Sequence, residues 1–227
     1  MSENNDGNVG IDKRKLTPAE KRRKENFDRI EQDMISKGYK RVDLTISIAK
    51  ANTVGLLVTL PVILVIYVIY QLVNHDFDFE SIDNLPWPDY VNLIIFLGSM
   101  VLFILIHEGI HGLCWSFGTP NHLKDIEFGF IVQMVTPYAT CKVPLSKPMY
   151  IFGSLMPMTI LGVIPSIAMI FVGNGLFLSI FLIQILCGAG DFLISLKLLK
   201  YSSKGKEAVL LDHPYECGLV VFEKPAE

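Results

Sequence analysis

The sequence predicts an all-α polytopic membrane protein: four transmembrane helices, a short β-hairpin between the second and third, and a cytoplasmic N-terminal helix. Three observations predict this fold class. Of the 227 residues, 51% are hydrophobic, and the mean hydropathy is +0.41. Four apolar stretches are each long enough to cross a bilayer. All 20 Lys and Arg residues fall on one side of the resulting four-span arrangement.

The first 52 residues form a basic segment that we expect to lie in the cytoplasm. Residues 1–16 are polar and are predicted to be disordered. Thr17-Pro18-Ala19-Glu20 has the pattern of a capping box, and it predicts a charged helix to about Lys37 with Gly38 as its C-cap. The basic side chains of this helix either face solvent or contact anionic lipid headgroups. Residues 39–52 form a short strand or an interfacial segment, and the pattern does not decide between the two.

Four membrane spans are predicted, at about residues 53–73, 91–117, 150–172 and 176–199. Pro61 is tolerated in the first span as a kink. Gly173-Asn174-Gly175 predicts a tight turn, so that the last two spans form a helical hairpin. The chain therefore divides into a cytoplasmic N-terminal segment (1–52), a four-span membrane domain (53–200) and a cytoplasmic C-terminal tail (201–227).

The distribution of Lys and Arg predicts the orientation in the cell membrane, because positively charged loops stay in the cytoplasm. Segment 1–52 contains 12 of these residues, the 118–149 segment contains 3 and the tail from Lys197 onward contains 5, whereas the 74–90 loop contains none. Both termini and the 118–149 segment are therefore predicted to be cytoplasmic. The acidic 74–90 loop, with Trp87 and Tyr90 as interface anchors, is predicted to face outward.

The 118–149 segment contains two β-prone stretches, residues 125–135 and 138–143, with Thr136-Pro137 between them. These stretches predict a β-hairpin at or within the membrane. Non-helical backbone at that depth must be buried in protein or line a water-filled cavity. An ordinary cytoplasmic hairpin is the alternative interpretation.

Three titratable residues interrupt the second span, in the sequence His107-Glu108-Gly109-Ile110-His111. Ionisable side chains are costly inside a membrane, so their presence there indicates a functional site. His107 and His111 are four residues apart, so they share one helix face and can both bind zinc, while Glu108 can act as a general base without being a ligand. The sequence therefore predicts a Zn²⁺ site with Glu108 as the catalytic residue.

A catalytic zinc usually has three protein ligands, and Asp191 in the fourth span is the candidate for the third. His107 lies 16 residues after the start of its span, and Asp191 lies 15 residues after the start of the fourth. At the rise of an α-helix, both residues are about 23 Å from the outer side. Small residues on both helices, namely Gly109, Gly112 and residues 188–190, predict that the two spans approach each other closely.

Other arrangements of these polar residues stay open at this point. A pair of Asp191 with Lys197 or with a backbone donor is the alternative interpretation of this residue. The four cysteines match no zinc-finger or disulfide framework. Cys114 and Cys187 nevertheless remain possible metal ligands, because each lies within a helical turn of a predicted ligand.

Together, the motif in a transmembrane helix, the later Asp191 and the intervening hairpin resemble the site-2-protease group of intramembrane zinc metallopeptidases. Residues 38–222 more closely resemble a bacterial family of four-span "putative zincin peptidases". The resemblance includes Pro137-Tyr138-Ala139, Pro157, Gly190-Asp191 and Asp212-His213-Pro214. Site-2 proteases carry an Asn-x-x-Pro helix and an Asp-Gly ligand motif, whereas this chain has Ser154-Leu155-Met156-Pro157 and Asp191 followed by Phe192. The resemblance therefore implies intramembrane cleavage but supplies no Asn as an oxyanion stabiliser.

These observations predict a zinc metalloendopeptidase, with His107, His111 and Asp191 as metal ligands, that hydrolyses membrane or membrane-proximal proteins near the cytoplasmic face. The predicted partners are the lipid bilayer and a protein or peptide substrate, and no nucleic acid is expected. The hairpin could bind an extended substrate by adding a strand to its edge. A non-catalytic binding or chaperone-like membrane protein and a metal-ion transporter are the alternative functions.

Overall fold

The computed structural model describes residues 17–74, 88–131, 136–214 and 216–226. The predicted disorder of residues 1–16 and most of the predicted 74–90 loop, including Trp87, lie outside these ranges. The described chain is mostly helical and also contains two small antiparallel sheets.

Helix α1 covers Pro18–Ser36 and begins with the predicted capping box. The Thr17 hydroxyl oxygen accepts a hydrogen bond from the Glu20 N–H at 3.3 Å, and the Glu20 carboxylate accepts one from the Thr17 N–H at 2.9 Å. These bonds satisfy N–H groups at the helix start that would otherwise lack a partner. Gly38 ends the segment with φ 83°, a left-handed conformation that suits glycine. Strand β1, Lys40–Asp43, follows directly.

Six α-helices and one π-helical stretch make up the apolar part of the described chain. Three segments are long and apolar enough to cross a membrane, and a fourth qualifies if two helices that meet at 46° count as one span. The fourth predicted span is thus not one straight helix, and the four-span count stays a prediction. The helices are α2 (Ile48–Val73), α3 (Asp89–Ser116), α4 (Lys147–Pro157), which continues through a π-helix (Met158–Val163) into α5 (Ile164–Val172), and the bent pair α6 (Gly175–Cys187) and α7 (Ala189–Lys200).

Helices α2 and α3 expose large apolar side chains over most of their length. Leu57 on α2 is 63% exposed, and Leu105 on α3 is 57% exposed. Extended apolar surfaces of this kind mark sites that contact a membrane or a protein partner. The exposed faces of these helices are therefore consistent with a membrane protein.

The predicted hairpin is present, with strands β2 (Ile126–Ile131) and β3 (Thr136–Cys141) paired antiparallel. Its boundaries differ from the prediction, because Thr136 and Pro137 belong to β3 instead of the turn. Pro137 pairs with Phe130. A proline is tolerated in a strand where its missing N–H is not needed by the neighbouring strand. The connecting residues 132–135 lie outside the described part of the chain.

A four-stranded antiparallel sheet in the order β1-β6-β5-β4 is the main difference from the predicted all-α fold. It joins parts of the chain that are far apart in sequence: β1 pairs with β6, so that Lys40 lies opposite Glu223. The fold is therefore mostly helical with small sheets. The three further strands are β4 (Leu145–Ser146), β5 (Lys206–Asp212) and β6 (Leu219–Pro225).

This sheet is covered on both faces, as the period-two alternation of its strands requires. On one face, Val220 and Phe222 pack with Phe27 of α1. On the other face, Leu210 and Val221 belong to the same cluster as residues of α3, α4 and α7, among them Trp115, Tyr150 and Leu198. The sheet is thus attached to the ends of the helices that carry the predicted metal ligands.

Candidate metal centre

The three predicted metal ligands lie together. His107 and His111 are one turn apart on α3, with ring centroids 4.8 Å apart. Asp191 reaches them from α7: its Oδ2 atom is 3.3 Å from the Nε2 of His107 and 3.4 Å from the Nε2 of His111. The possible ligand atoms of the three residues all lie within 4.8 Å of one another. The cluster is therefore compact enough to bind one metal ion.

The separations between Asp191 and the two histidines fit zinc. Ligand atoms about 2.0–2.1 Å from a tetrahedral zinc lie about 3.3–3.4 Å from one another. The two measured separations between Asp191 and the histidines, 3.3 and 3.4 Å, have this length. Two imidazoles and one carboxylate also form a donor set that zinc prefers, and they leave a fourth position for water.

The orientation of His111 is fixed by α4. The His111 Nδ1 lies 2.9 Å from the carbonyl oxygen of Gly153. Because a carbonyl only accepts hydrogen bonds, Nδ1 carries the proton and Nε2 presents its lone pair to the metal position. In an α-helix this carbonyl would accept from residue 157, but Pro157 has no N–H and its ring displaces the carbonyl. The proline therefore leaves Gly153 free to bind His111.

Trp115 supports the same imidazole from its own helix. The Trp115 indole stacks on the His111 ring, with centroids 5.0 Å apart and planes inclined by 16°. Its Nε1–H donates to the carbonyl oxygen of Tyr150 at 3.2 Å. The indole lies so close to α4 that a Cβ added at Gly153 would be 2.1 Å from it. Glycine at 153 is therefore a packing requirement of this arrangement.

His107 differs from His111 in its surroundings. Its side chain is also buried, but its Nδ1 has no hydrogen-bond partner among the residues that the structure describes. Metal-binding histidines usually donate this second N–H to an acceptor. The ring of His107 is therefore oriented only by packing and by its contact with Asp191.

Asp191 is placed by the break between α6 and α7. The break occurs at Gly188, where an added Cβ would lie 2.7 Å from Met158 of the π-helix. Asp191 follows in the first turn of α7. Lys197 does not pair with Asp191, because its Nζ donates to the Thr45 carbonyl oxygen at 3.0 Å. The count of residues along the spans assumed one straight helix up to Asp191. Asp191 lies beside His107 and His111 although the helix bends just before it.

The predicted close approach of the two ligand-bearing helices is only partly right. Helix α4 packs against both α3 and α7 and lies between them. A Cβ at Gly109 or at Gly190 would meet nothing within 4 Å, so these two glycines are not needed for packing. Gly112 is needed, but for the hairpin: its Cβ would lie 2.3 Å from the ring of Phe128.

The predicted general base, Glu108, faces the hairpin. The backbone N–H of Ala139 in β3 donates to Glu108 Oε2 at 2.6 Å. This bond fixes one carboxylate oxygen and leaves the other free to accept a proton. The arrangement combines three metal ligands with an adjacent oriented carboxylate, which is the chemistry of a metal-dependent hydrolase.

Residues 100–205 match the model of a protein family described as "DUF3267: Putative zincin peptidase". This match supports a zinc peptidase family. The matched segment includes His107, Glu108, His111, Asp191 and the hairpin. No curated protein and no solved structure matches the chain. The finer resemblance to site-2 proteases therefore stays a prediction.

Asp212 at the end of β5 is a residue whose role the sequence did not predict. One carboxylate oxygen accepts from the Thr140 hydroxyl at 2.8 Å and from the Cys141 N–H at 3.1 Å, and the other accepts from the Tyr150 hydroxyl at 2.6 Å. Burial raises the pKa of Asp212, and these three donors oppose that shift. The family resemblance included Asp212-His213-Pro214, and this was the signal available in the sequence. It did not indicate which of the three residues binds the hairpin and α4.

No cysteine belongs to the His107, His111 and Asp191 cluster among the residues that the structure describes. Neither Cys114 nor Cys187, which were left open as ligands, is part of the cluster, and Cys187 is exposed. Burial raises the pKa of the Cys141 thiol to about 12, so this thiol is protonated at neutral pH. His213 is also absent from the cluster, and its Nδ1 accepts a hydrogen bond from the Glu216 N–H at 3.0 Å.

Proposed function

We propose that this protein is a membrane-embedded zinc metalloendopeptidase that hydrolyses peptide bonds of membrane or membrane-proximal proteins near the cytoplasmic face. The observation that carries the proposal is the convergence of His107, His111 and Asp191 beside an oriented Glu108. The family match supports the metallopeptidase part of this function. The apolar helices support the location in a membrane.

The Nε2 atoms of His107 and His111 and the Asp191 carboxylate would hold the metal. When bound, zinc would lower the pKa of a coordinated water to about 7 and polarise a substrate carbonyl. Helix α4 keeps the His111 Nε2 lone pair directed at the metal position through the Gly153 carbonyl. Asp191 contributes negative charge, which makes a divalent cation favourable in an otherwise apolar surrounding.

Glu108 would carry the proton transfers. It takes a proton from the attacking water and delivers it to the leaving amine. The Ala139 N–H holds Oε2, so Oε1 is the oxygen that receives the proton. Glu108 is not part of the three-residue ligand cluster, so it acts as a base and not as a ligand.

A substrate would bind in extended conformation along the hairpin. The outward N–H groups of β3 are already used, by Glu108 at Ala139 and by Asp212 at Cys141. In an antiparallel pair, the residue opposite Ala139, which is Phe128, also points its N–H outward, along the other edge. No other strand pairs with β2 in the described part of the chain. The outer edge of β2 is therefore the free edge of the hairpin in the described part of the chain.

Zinc content and peptide cleavage, measured on the same purified protein in detergent, test the function. Wild type should bind about one zinc and cleave a fluorogenic peptide. Glu108→Gln should keep the zinc and lose about 10²–10⁴-fold in kcat. Asp191→Ala should lose both zinc and cleavage. A Glu108→Gln protein with wild-type kcat would refute the proposal, and zinc flux into vesicles without cleavage would favour a transporter.

A further inference from the structure

Asp212 links the four-stranded sheet to the hairpin and to α4 beside the candidate site. Asp212 is the last residue of β5, and its side chain binds β3 of the hairpin. It lies outside the segment that the zincin family model matches, which ends at residue 205. The sheet itself is not needed to supply a metal ligand, because all three ligands come from α3 and α7.

Asp212 binds β3 directly beside the residue that holds the general base. Its Oδ2 accepts from the Thr140 hydroxyl and from the Cys141 N–H. Ala139, whose N–H donates to Glu108, is the adjacent residue of the same strand. Ala139 and Cys141 point their N–H groups to the same side of β3, so two carboxylates from different parts of the fold hold one strand edge. The position of the Ala139 N–H therefore depends on the Asp212 contacts.

Asp212 also binds α4, the helix that orients the metal ligand His111. Its Oδ1 accepts from the Tyr150 hydroxyl on α4 at 2.6 Å. The Tyr150 side chain is buried, so this contact is shielded from solvent. Asp212 thus fixes the distance between α4 and β3, the two elements that orient His111 and Glu108 respectively.

We propose that Asp212 is a positioning residue, which holds β3 against α4 so that the Ala139 N–H keeps Glu108 directed for proton transfer. This inference rests on the proposed function for its kinetic consequence, but the placement of the strand can be measured without any cleavage. His213, the neighbour in the same motif, does not share the role, because its Nδ1 accepts from Glu216 within its own turn.

The main test compares Asp212→Ala with Asp212→Asn in full-length protein purified in detergent. Asp212→Ala removes all three contacts and should lower kcat about 10–100-fold, with KM and zinc content near wild type. Asparagine keeps an oxygen for Thr140 and Cys141, and its amide can donate to Tyr150, whose hydroxyl can reverse its role. Asp212→Asn should therefore stay within about threefold of wild type in kcat.

Two further variants each remove one of the Asp212 contacts, and a third variant is a control in the same sheet. Thr140→Val removes only the hydroxyl that bonds Asp212 and should lower kcat about threefold. Tyr150→Phe removes only the contact to α4 and should lower kcat less than Asp212→Ala does. Asp43→Ala is the matched control, because this exposed Asp lies in the same sheet and binds only Arg41 among the described contacts. It should leave kcat unchanged.

Amide hydrogen exchange supplies a measurement that does not depend on turnover. In Asp212→Ala, exchange of the fragment that contains residues 136–141 should rise about tenfold, while fragments of α3 exchange as in wild type. If the wild-type protein cleaves no peptide, the proposed function fails, but this measurement still decides whether Asp212 holds the strand.

Several results would overturn the proposal. Wild-type kcat in Asp212→Ala, or loss of zinc from it, would show that Asp212 does not act through Glu108. Unchanged exchange in residues 136–141 would show that it does not hold the strand. If Asp212→Ala does not fold, a wild-type kcat together with unchanged exchange in Thr140→Val would refute the role.

Discussion

The two sides of the metal centre are built from different parts of the fold. On the ligand side, His111 is held by residues of helices: Trp115 stacks on its ring and the Gly153 carbonyl binds its Nδ1. On the base side, Glu108 is held by a strand, through the Ala139 N–H. Although Glu108 and His111 are three residues apart on one helix, their orientations thus depend on separate neighbours.

This difference teaches that metal affinity and turnover can be changed separately. Substitutions in α4 should alter zinc affinity, because they disturb the imidazole that binds the metal. Substitutions in β3 should alter kcat at constant zinc content, because they disturb only the residue that transfers protons. If every variant on both sides changed zinc affinity and kcat together, the two sides would form one cooperative unit.

The largest effect on kcat without an effect on zinc binding is expected from Ala139→Pro, which removes the N–H that binds Glu108. Position 139 points its N–H away from β2, as does position 137, where the wild-type strand already contains a proline. The strand should therefore tolerate the change. We expect kcat to fall about 100-fold with zinc content unchanged. Peptide cleavage and elemental analysis on the same sample measure both quantities.

Ala139→Ser is the control for this experiment, because it keeps the N–H and adds only a hydroxyl group to the side chain. It should keep most of the wild-type kcat. Equal losses in the serine and proline variants would show that the side chain, and not the N–H, matters at this position.

The opposite result, a loss of zinc affinity with little change in kcat, is expected from Gly153→Ala. The new Cβ would lie 2.1 Å from the Trp115 indole, which must move and disturb the His111 ring that stacks on it. We expect zinc affinity to fall about 10–100-fold, measured by competition with a chelator. When enough zinc is added to fill the site, kcat should recover to within a few-fold of wild type.

Gly98→Ala is the matched control, since a Cβ at this position on α3 meets nothing within 4 Å. It should leave zinc affinity unchanged. A loss of affinity in Gly98→Ala as large as in Gly153→Ala would attribute the effect to the membrane helices in general.

The metal cluster could be predicted from the sequence because its signals are local. The spacing of His107 and His111 places both on one helix face whatever the rest of the fold does. The cost of ionisable groups in a membrane then singled out Asp191, and depth along the span placed it at the correct level. The bend at Gly188 could not be predicted, because it depends on the contact with Met158 of another helix.

The four-stranded sheet and the role of Asp212 were not predictable in the same way. Strand β4 has two residues and β1 has four, which is too short for a periodic pattern to stand out. The pairing of Lys40 with Glu223 joins opposite ends of the chain, and no local signal specifies such a partner. Asp212 acquires its three donors only after the sheet has formed against β3 and α4.

The smallest change in zinc affinity is expected from Pro157→Ala. This variant tests a single hydrogen bond, between the Gly153 carbonyl and His111. The new N–H at position 157 can bond the Gly153 carbonyl within the helix, and it then competes with the His111 Nδ1 for that acceptor. We expect zinc affinity to fall only about tenfold, because a carbonyl has two lone pairs and can accept from both donors.

Pro165→Ala is the matched control, because Pro165 lies in the same span but its ring acts on the carbonyl of residue 161, which does not bind His111. It should leave zinc affinity unchanged. If Pro157→Ala bound zinc as tightly as Pro165→Ala, the Gly153 carbonyl would orient His111 whether or not position 157 can donate. The ligand side would then depend on Trp115 and on the packing of α3 against α4, and the proline would serve only to shape the helix.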